Sequence, residues 1–458
     1  MATLPSIGRS RVLRAQRYIR HSLIWAHVYR AASYAKSALW IVPFIAIVCV
    51  LVVAPVLRWL DIWLGWRFVG LAIEGAQALY QTVITLTLSF MVFTFGSLLV
   101  AIQVASGQLT PRIIATTLLR DNVVRYSVGL FVFTLVFAVM ALDRLQTTVH
   151  ELVALIVAFL GIACMATFLF LIDYAARLLR PVSILARIGN EGLTVIESVF
   201  PDPVDALEEG EVGSSEPLGR ARRFVQHAGN SEIVLAVDLE TLVEEAQRSD
   251  GVIEFMPQVG DFVAYEEPLF ALYGGAAVID DQKLRATVAF GPERTMEQDP
   301  MFAFRILVDI ALKALSPAIN DPTTAVLALD QVHRLLKAVG RRHLRREQIS
   351  DDAGQTRLVF RTPSWEDFVN VACNEIRTCG ATSVQVARRM RAMLDNLVGS
   401  LPTHRHATLV HERNCLDHML ESRFTIPDDL ALARIPDLQG LGGSSNGRST
   451  ALGKTRCP

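Results

Sequence analysis

Four long apolar runs, all before residue 180, constrain this chain more than any other feature of it. A hydrocarbon core of about 30 Å is crossed by roughly 20 apolar residues in a helix, because a helix satisfies its own backbone polar groups away from water. Residues 37–57 (SALWIVPFIAIVCVLVVAPVL) meet that length, and so do 81–104 (QTVITLTLSFMVFTFGSLLVAIQV), which carry no formal charge. Residues 126–142 (YSVGLFVFTLVFAVMAL) sit at the short limit, and 151–172 (ELVALIVAFLGIACMATFLFLI) hold a charge only at the first position. The reading is four transmembrane helices within 37–178. Composition agrees, since the chain is 52% hydrophobic and only 19% charged, against about a quarter charged in ordinary globular chains.

Orientation follows from the basic residues that flank each run. Arg9, Arg11, Arg14, Arg17, Arg20, Arg30 and Lys36 precede the first run, in a basic segment over residues 1–36. Arg112, Arg120 and Arg125 fall between the second and third, whereas the third-to-fourth connection has only Arg144. The alternation places both termini in the cytoplasm. Trp59, Trp63 and Trp66 follow the first run, where aromatic rings favour the outer interface. The net charge of −1 gives no general attraction for nucleic acid. The six cysteines include no CxxC pair, which suits a reducing compartment.

The second run carries Thr85, Ser89, Gly96, Ser97 and Gln103 at helical spacing. Such a stripe is expected to face other helices or water rather than lipid. It reads as close packing through small residues or as the lining of a path for a solute. Asp173, near the end of the fourth run, stands four residues before Arg177, the spacing of a pair within one helix.

The rest of the chain is organised differently. Residues 179–228 form a helical extension and an acidic linker, and 229–425 read as a cytosolic α+β domain with a small β module and a helical part. The phrase VGDFV…PLF resembles half of a lipoyl or biotinyl carrier repeat, but no lysine occurs between Lys36 and Lys283 to be modified. A helix follows that starts either at Met296, after a capping box of Thr295 and Gln298, or at Pro300, after an Asp299 cap. Phe302, Ile306, Ile310 and Ala314 make its buried stripe.

In KALSPAINDPTTAV (313–326), Pro317 disfavours helix at Ser316, while Asp321 and Pro322 open the next helix. The stretch is an α–α corner. Asn320, Asp321, Thr323 and Thr324 also form a candidate anion or ligand corner, because free N–H groups at a helix start attract negative charge. His411, Cys415 and His418 share one helical face, which reads as a His-rich amphipathic helix rather than a metal site. Residues 426–458 are expected to be a disordered tail.

The phrases VFTFGSLLVAIQVASGQLTPRII, GDFV…PLF, ERTMEQDP and ALSPAINDPTTAV, in this order, resemble the bacterial predicted membrane proteins grouped as domain of unknown function 2254. The resemblance implies four N-terminal spans and a cytosolic domain with an SPxINDP signature, placed in a bacterial inner membrane. It implies no activity. No nucleotide-binding, hydrolase or metallohydrolase motif appears in a supporting context, so no enzyme, catalytic residue, metal or cofactor is expected. The remaining classes are a channel-like homo-oligomer with a cytosolic oligomerisation or gating domain, and a membrane-anchored sensor or scaffold.

Overall fold

A computed structural model of the chain describes residues 38, 40–64, 70–108, 121–145, 149–178, 180–204, 219–344 and 348–442. They divide at Ile184 into two compact units. The basic segment over 1–36, Trp66 and most of the acidic linker lie outside the described residues.

The first unit consists of α1 (Ile41–Leu64), α2 (Ile73–Gln108), α3 (Asn122–Asp143) and α4 (Glu151–Leu178). All four are long and apolar enough to cross a membrane. The second expected span begins earlier than its apolar run: α2 starts at Ile73, because IEGAQALY has good helix formers although its polar residues end the uninterrupted apolar stretch. The helix α3 is the most enclosed, burying Phe131, Thr134, Phe137 and Ala138. Its Gly129 lets α1 approach closely, since a Cβ there would stand 2.7 Å from Val42 Cγ1. Phe90 of α2 and Phe168 of α4 stack with centroids 4.3 Å apart.

An aspartate pins each end of this bundle. At one end Asp121 caps α3, accepting from the amides of Val123 and Val124, while Tyr174 Oη of α4 donates to it at 2.6 Å. At the other end the buried Asp61 of α1 accepts from the amide of Leu152 at 3.1 Å, satisfying a free N–H in the first turn of α4. Asp173 pairs with Arg177 along α4.

Next in the chain, α5 (Pro181–Val199) crosses the division between the units. The strands of the second unit are β1 (Arg223–Gln226), β2 (Glu232–Val237), β3 (Gly251–Phe255), β4 (Phe262–Val263), β5 (Pro268–Gly274), β6 (Val288–Gly291), β7 (Gln348–Ser350) and β8 (Thr356–Phe360). One sheet has the order β1-β5-β3-β8-β7 and the other β4-β2-β6. Every pairing is antiparallel except β3 with β8, where Ile253 stands opposite Leu358. Two short helices, α6 (Leu239–Arg248) and α7 (Asp281–Ala286), complete the β module. The module is thus larger than the VGDFV region suggests, because TRLVF returns to it after the helices.

The helical part holds α8 (Pro300–Ala314), α9 (Pro322–Val339), α10 (Trp365–Gly380), α11 (Val384–Ser400), α12 (His406–Arg423) and α13 (Pro427–Ala433). Asp299 caps α8 and Pro300 is its first residue, which settles the two possible starts; Phe302, Ile306, Ile310 and Ala314 are all buried. Ser364 and Asp367 form a capping box on α10, whose Trp365 is buried and donates Nε1–H to the Arg405 carbonyl at 3.1 Å. Burial of these apolar side chains is worth about 1.5–3 kcal/mol for each large one.

The expected tail from residue 426 is ordered as far as Gly442. After α13 the chain turns around the buried Asp437, which accepts from the amides of Gln439, Gly440 and Gly442 at 3.0, 3.1 and 2.7 Å. Burial alone pushes its pKa up, yet these backbone donors prevail and hold the carboxyl below its usual range. Arg388 of α11, fully buried, donates to the carbonyls of Ile435 and Gly442. A composition rich in Gly and Ser hid this docking because the ordering group lies on α11. Residues 443–458 lie outside the described residues.

Candidate functional site

The polar residues of α2 take their places by helical geometry. Thr85, Ser89, Gly96 and Gln103 are exposed and follow one another at spacings of four and seven, so they share one face. Glu74, Ala78, Gln81 and Thr82 extend that face toward the start of the helix and are exposed as well. Ser97 lies about 120° round from Thr85 at 3.6 residues per turn, on the flank. The buried face of α2 is the opposite one, made by Ala76, Tyr80, Val83, Thr87 and Thr94. The stripe therefore points away from the other helices of its own bundle. Its hydroxyls bond back to their own helix: Thr82 to the Ala78 carbonyl at 2.7 Å, Thr85 to Gln81 and Ser89 to Thr85 at 2.8 Å each. Ser97 does the same with Thr94 at 3.0 Å.

At the α8–α9 corner Asn320 adopts φ 50°, and the Asp321 amide donates to the Ala314 carbonyl at 2.8 Å. Asp321 Oδ1 accepts from the Thr324 amide at 3.1 Å and its Oδ2 from the Thr324 hydroxyl at 2.5 Å. Thr324 is buried, whereas Asn320 and Thr323 are exposed. The carboxylate already lies at the helix start, where it satisfies a free donor and opposes a second negative charge. On α12, His411 Nε2 stands 3.6 Å from Cys415 Sγ, and the exposed His418 pairs with Glu421.

A cavity of the α/β unit lies elsewhere. It is a cleft of about 600 Å³ between the β module and the helical part, a volume within the range of small-molecule sites. Gln258, Glu297, Gln298 and Asp299 line it from two loops, Asp238 and Glu240 from the start of α6, and Phe360, Arg361 and Thr362 from the end of β8. Gln298 is held in place because its Oε1 accepts from the Val237 amide at 3.1 Å. Asp238 is held by the Thr241 amide and hydroxyl.

Asp299 is 4% exposed. Its Oδ1 accepts from the Phe302 amide at 3.1 Å, but its buried Oδ2 has no hydrogen-bond donor. Arg294 Nη1 approaches to 3.7 Å, an ion pair longer than a hydrogen bond. Gly260 makes room for this oxygen: its φ is +95°, and a Cβ there would lie 2.6 Å from Oδ2. Burial pushes the carboxyl up to about 6, against the pull of Arg294 and the amides of Phe302 and Met301, with Asp261 adding to the rise.

VGDFV and ERTMEQDP therefore meet in space at Gly260, Arg294 and Asp299. Sequence reasoning recognised both phrases but gave Asp299 only a capping role, because nothing in a linear spacing shows that a glycine 39 positions away faces its carboxylate.

Uncharacterised proteins of Mycobacterium bovis and of two strains of Mycobacterium tuberculosis are each 24% identical over 401 residues, covering 81% of this chain and 76% of theirs. No solved structure matches. Residues 36–396 match the family described as predicted membrane protein (DUF2254), and with four membrane-length helices followed by a mixed helical and sheet region, the chain belongs to that family.

Proposed function

We propose that the chain is a channel-like homo-oligomer of a bacterial inner membrane, with both termini and the α/β unit in the cytoplasm. In this reading α2 faces its copies across a path, and the α/β unit serves oligomerisation or gating. The observation that supports it is the direction of the α2 stripe. Gln81, within the candidate span Ile73–Val100, is exposed and its side-chain amide has no partner among the described residues. An amide left in hydrocarbon costs several kcal/mol, on the order of 4–8 in the limit where nothing can bond it. Water or another copy of α2 removes that cost. The hydroxyls of Thr85 and Ser89 add polar surface near the middle of the helix. The reading assigns no catalytic residue.

A second reading, a membrane-anchored sensor or scaffold, is favoured by the cleft at Asp299. There the spans only anchor, and a ligand or partner acts on the α/β unit. Subunit number separates the two. The full chain purified in detergent is expected to show a mass of several chains by light scattering. Cysteine at 89, in a chain freed of native cysteines, is expected to react with a water-soluble thiol reagent while cysteine at 95, about 80° round from Thr85, does not. A monomer with both positions protected would favour the anchored sensor.

A further inference from the structure

One end of the transmembrane bundle carries positive charge that the fold does not use. Arg58 lies inside the candidate span Ile41–Trp63, and Arg144 caps the end of α3. Both are exposed, and neither has a hydrogen bond or an ion pair from its side chain among the described residues. A charge within a span is costly and is ordinarily paired or drawn to the headgroup level. Trp59 and Trp63, exposed on α1 beside Arg58, mark that level. The two arginines line one pocket, to which all four helices of the bundle contribute. Tyr80 of α2 lines it too; it is 1% exposed, and its hydroxyl has no hydrogen-bond partner among the described residues. No carboxylate lines the pocket among the described residues, and the buried Asp61 behind His150 is already taken by that ring and by the Leu152 amide. Three donors without acceptors, in a pocket without an acid, describe the complement of an oxyanion.

We propose that this pocket holds the phosphate of an anionic phospholipid, whose oxygens accept from Arg58, Arg144 and the Tyr80 hydroxyl. Arginine suits this task because its planar fork gives paired, charge-assisted hydrogen bonds to phosphate. The cavity is small, about 30 Å³, so it takes the phosphate oxygens and leaves the rest of the lipid outside. Its remaining walls are apolar, with Phe137, Met140 and Val153 among them. The acyl chains lie along the exposed apolar side of α1, where Val52 and Val56 precede Arg58. A zwitterionic lipid fits less well, because no lining acid meets its ammonium group. A basic pocket between transmembrane helices is a recurring form of headgroup site.

The inference rests on the bundle alone and stands apart from both functional readings, so that its failure leaves them intact. The full chain in a neutral detergent is titrated with phosphatidylglycerol, phosphatidylcholine and sodium phosphate in separate arms, and bound molecules are counted by native mass spectrometry. One phosphatidylglycerol per chain is expected to bind about tenfold or more tightly than phosphatidylcholine. Replacing both arginines, Arg58→Gln with Arg144→Gln, is expected to abolish that preference; both are exposed and unpaired, so the fold is retained. Tyr80→Phe keeps the buried ring, removes one donor and is expected to weaken binding less. Arg177→Gln, on a residue paired with Asp173 at the other end of α4, is expected to change nothing. Equal affinity for the two lipids overturns the proposal, as does a preference that survives the double replacement or falls equally in Arg177→Gln. Sodium phosphate that displaces phosphatidylglycerol at millimolar concentration would make this a site for a free anion and also overturns it.

Discussion

The carboxylate of Asp61 lies 2.8 Å from His150 Nδ1, joining the end of α1 to the start of α4 across 89 residues of sequence. The same carboxylate takes the amide of Leu152, so one buried side chain holds two elements of the bundle. Asp61→Ala leaves both groups without an acceptor and is expected to cost about 2–3 kcal/mol. Asp61→Asn retains an acceptor and is expected to cost less. Thermal unfolding in detergent, followed by helix signal, distinguishes them.

Stability is expected to depend on pH through Asp299. Burial pushes its carboxyl up to about 6 in the folded chain against 3.8 for the free side chain, so the folded state holds the extra proton between those values. The favourable contribution is fully present below about pH 4 and is lost as pH rises through 6. Asparagine keeps the cap and removes the buried charge. Asp299→Asn is therefore expected to be more stable than the parent at pH 8, by about 1–3 kcal/mol, and the gain should vanish near pH 4. Melting curves at both pH values check this.

Arg388 ties residues 435–442 to α11 through two carbonyls. Arg388→Met is expected to release the segment at a cost on the order of 3 kcal/mol. Limited proteolysis followed by mass measurement should then show cleavage between residues 426 and 442 with the remainder of the unit intact. The parent chain should resist cutting there.

The cap at the α8–α9 corner is worth about 1–2 kcal/mol, since Asp321→Ala removes the acceptor for both donors of Thr324. Pro322→Ala is expected to be mild, because the missing N–H at a first helical position has no partner to lose. Chemical denaturation reads both. Unchanged stability in Asp321→Ala would show that the corner is held by its packing alone.

On α2, Ser89→Leu separates a water-lined path from a packed interface. If water reaches this face, leucine narrows the path and lowers solute flux from reconstituted vesicles while the oligomer persists. If copies pack through the stripe, leucine forces them apart and the oligomer dissociates. Val92 lies seven residues from Thr85 and so on the same face, which makes it unsuitable as a lipid-facing control. Phe95, about 80° round from Thr85, serves instead.

Much of this architecture was legible in the sequence, for reasons that differ by element. The four spans were readable because hydrocarbon thickness sets a length that few other structures share. The corner was readable because Pro317, Asp321 and Pro322 act on their immediate neighbours. Helix α8 was ambiguous because Gln298 fits a capping box locally, whereas its side chain is taken by Val237, 61 residues away. The docked segment at 426–442 and the surroundings of Asp299 escaped for the same reason: Arg388 and Gly260 act on residues distant in sequence. The direction of the α2 stripe required knowing which face of the helix its neighbours cover.

The parallel pairing of β3 with β8 sets an order of events during synthesis. Ile253 leaves the ribosome roughly a hundred residues before Leu358, and in that interval β3 is the exposed margin of a sheet whose next strand does not yet exist. The intervening chain, α8 and α9 included, must emerge before the sheet can close, and such distant pairings form slowly. An unfinished chain that stops before residue 356 would carry an open, apolar strand beside other nascent copies, the condition that favours edge-to-edge aggregation.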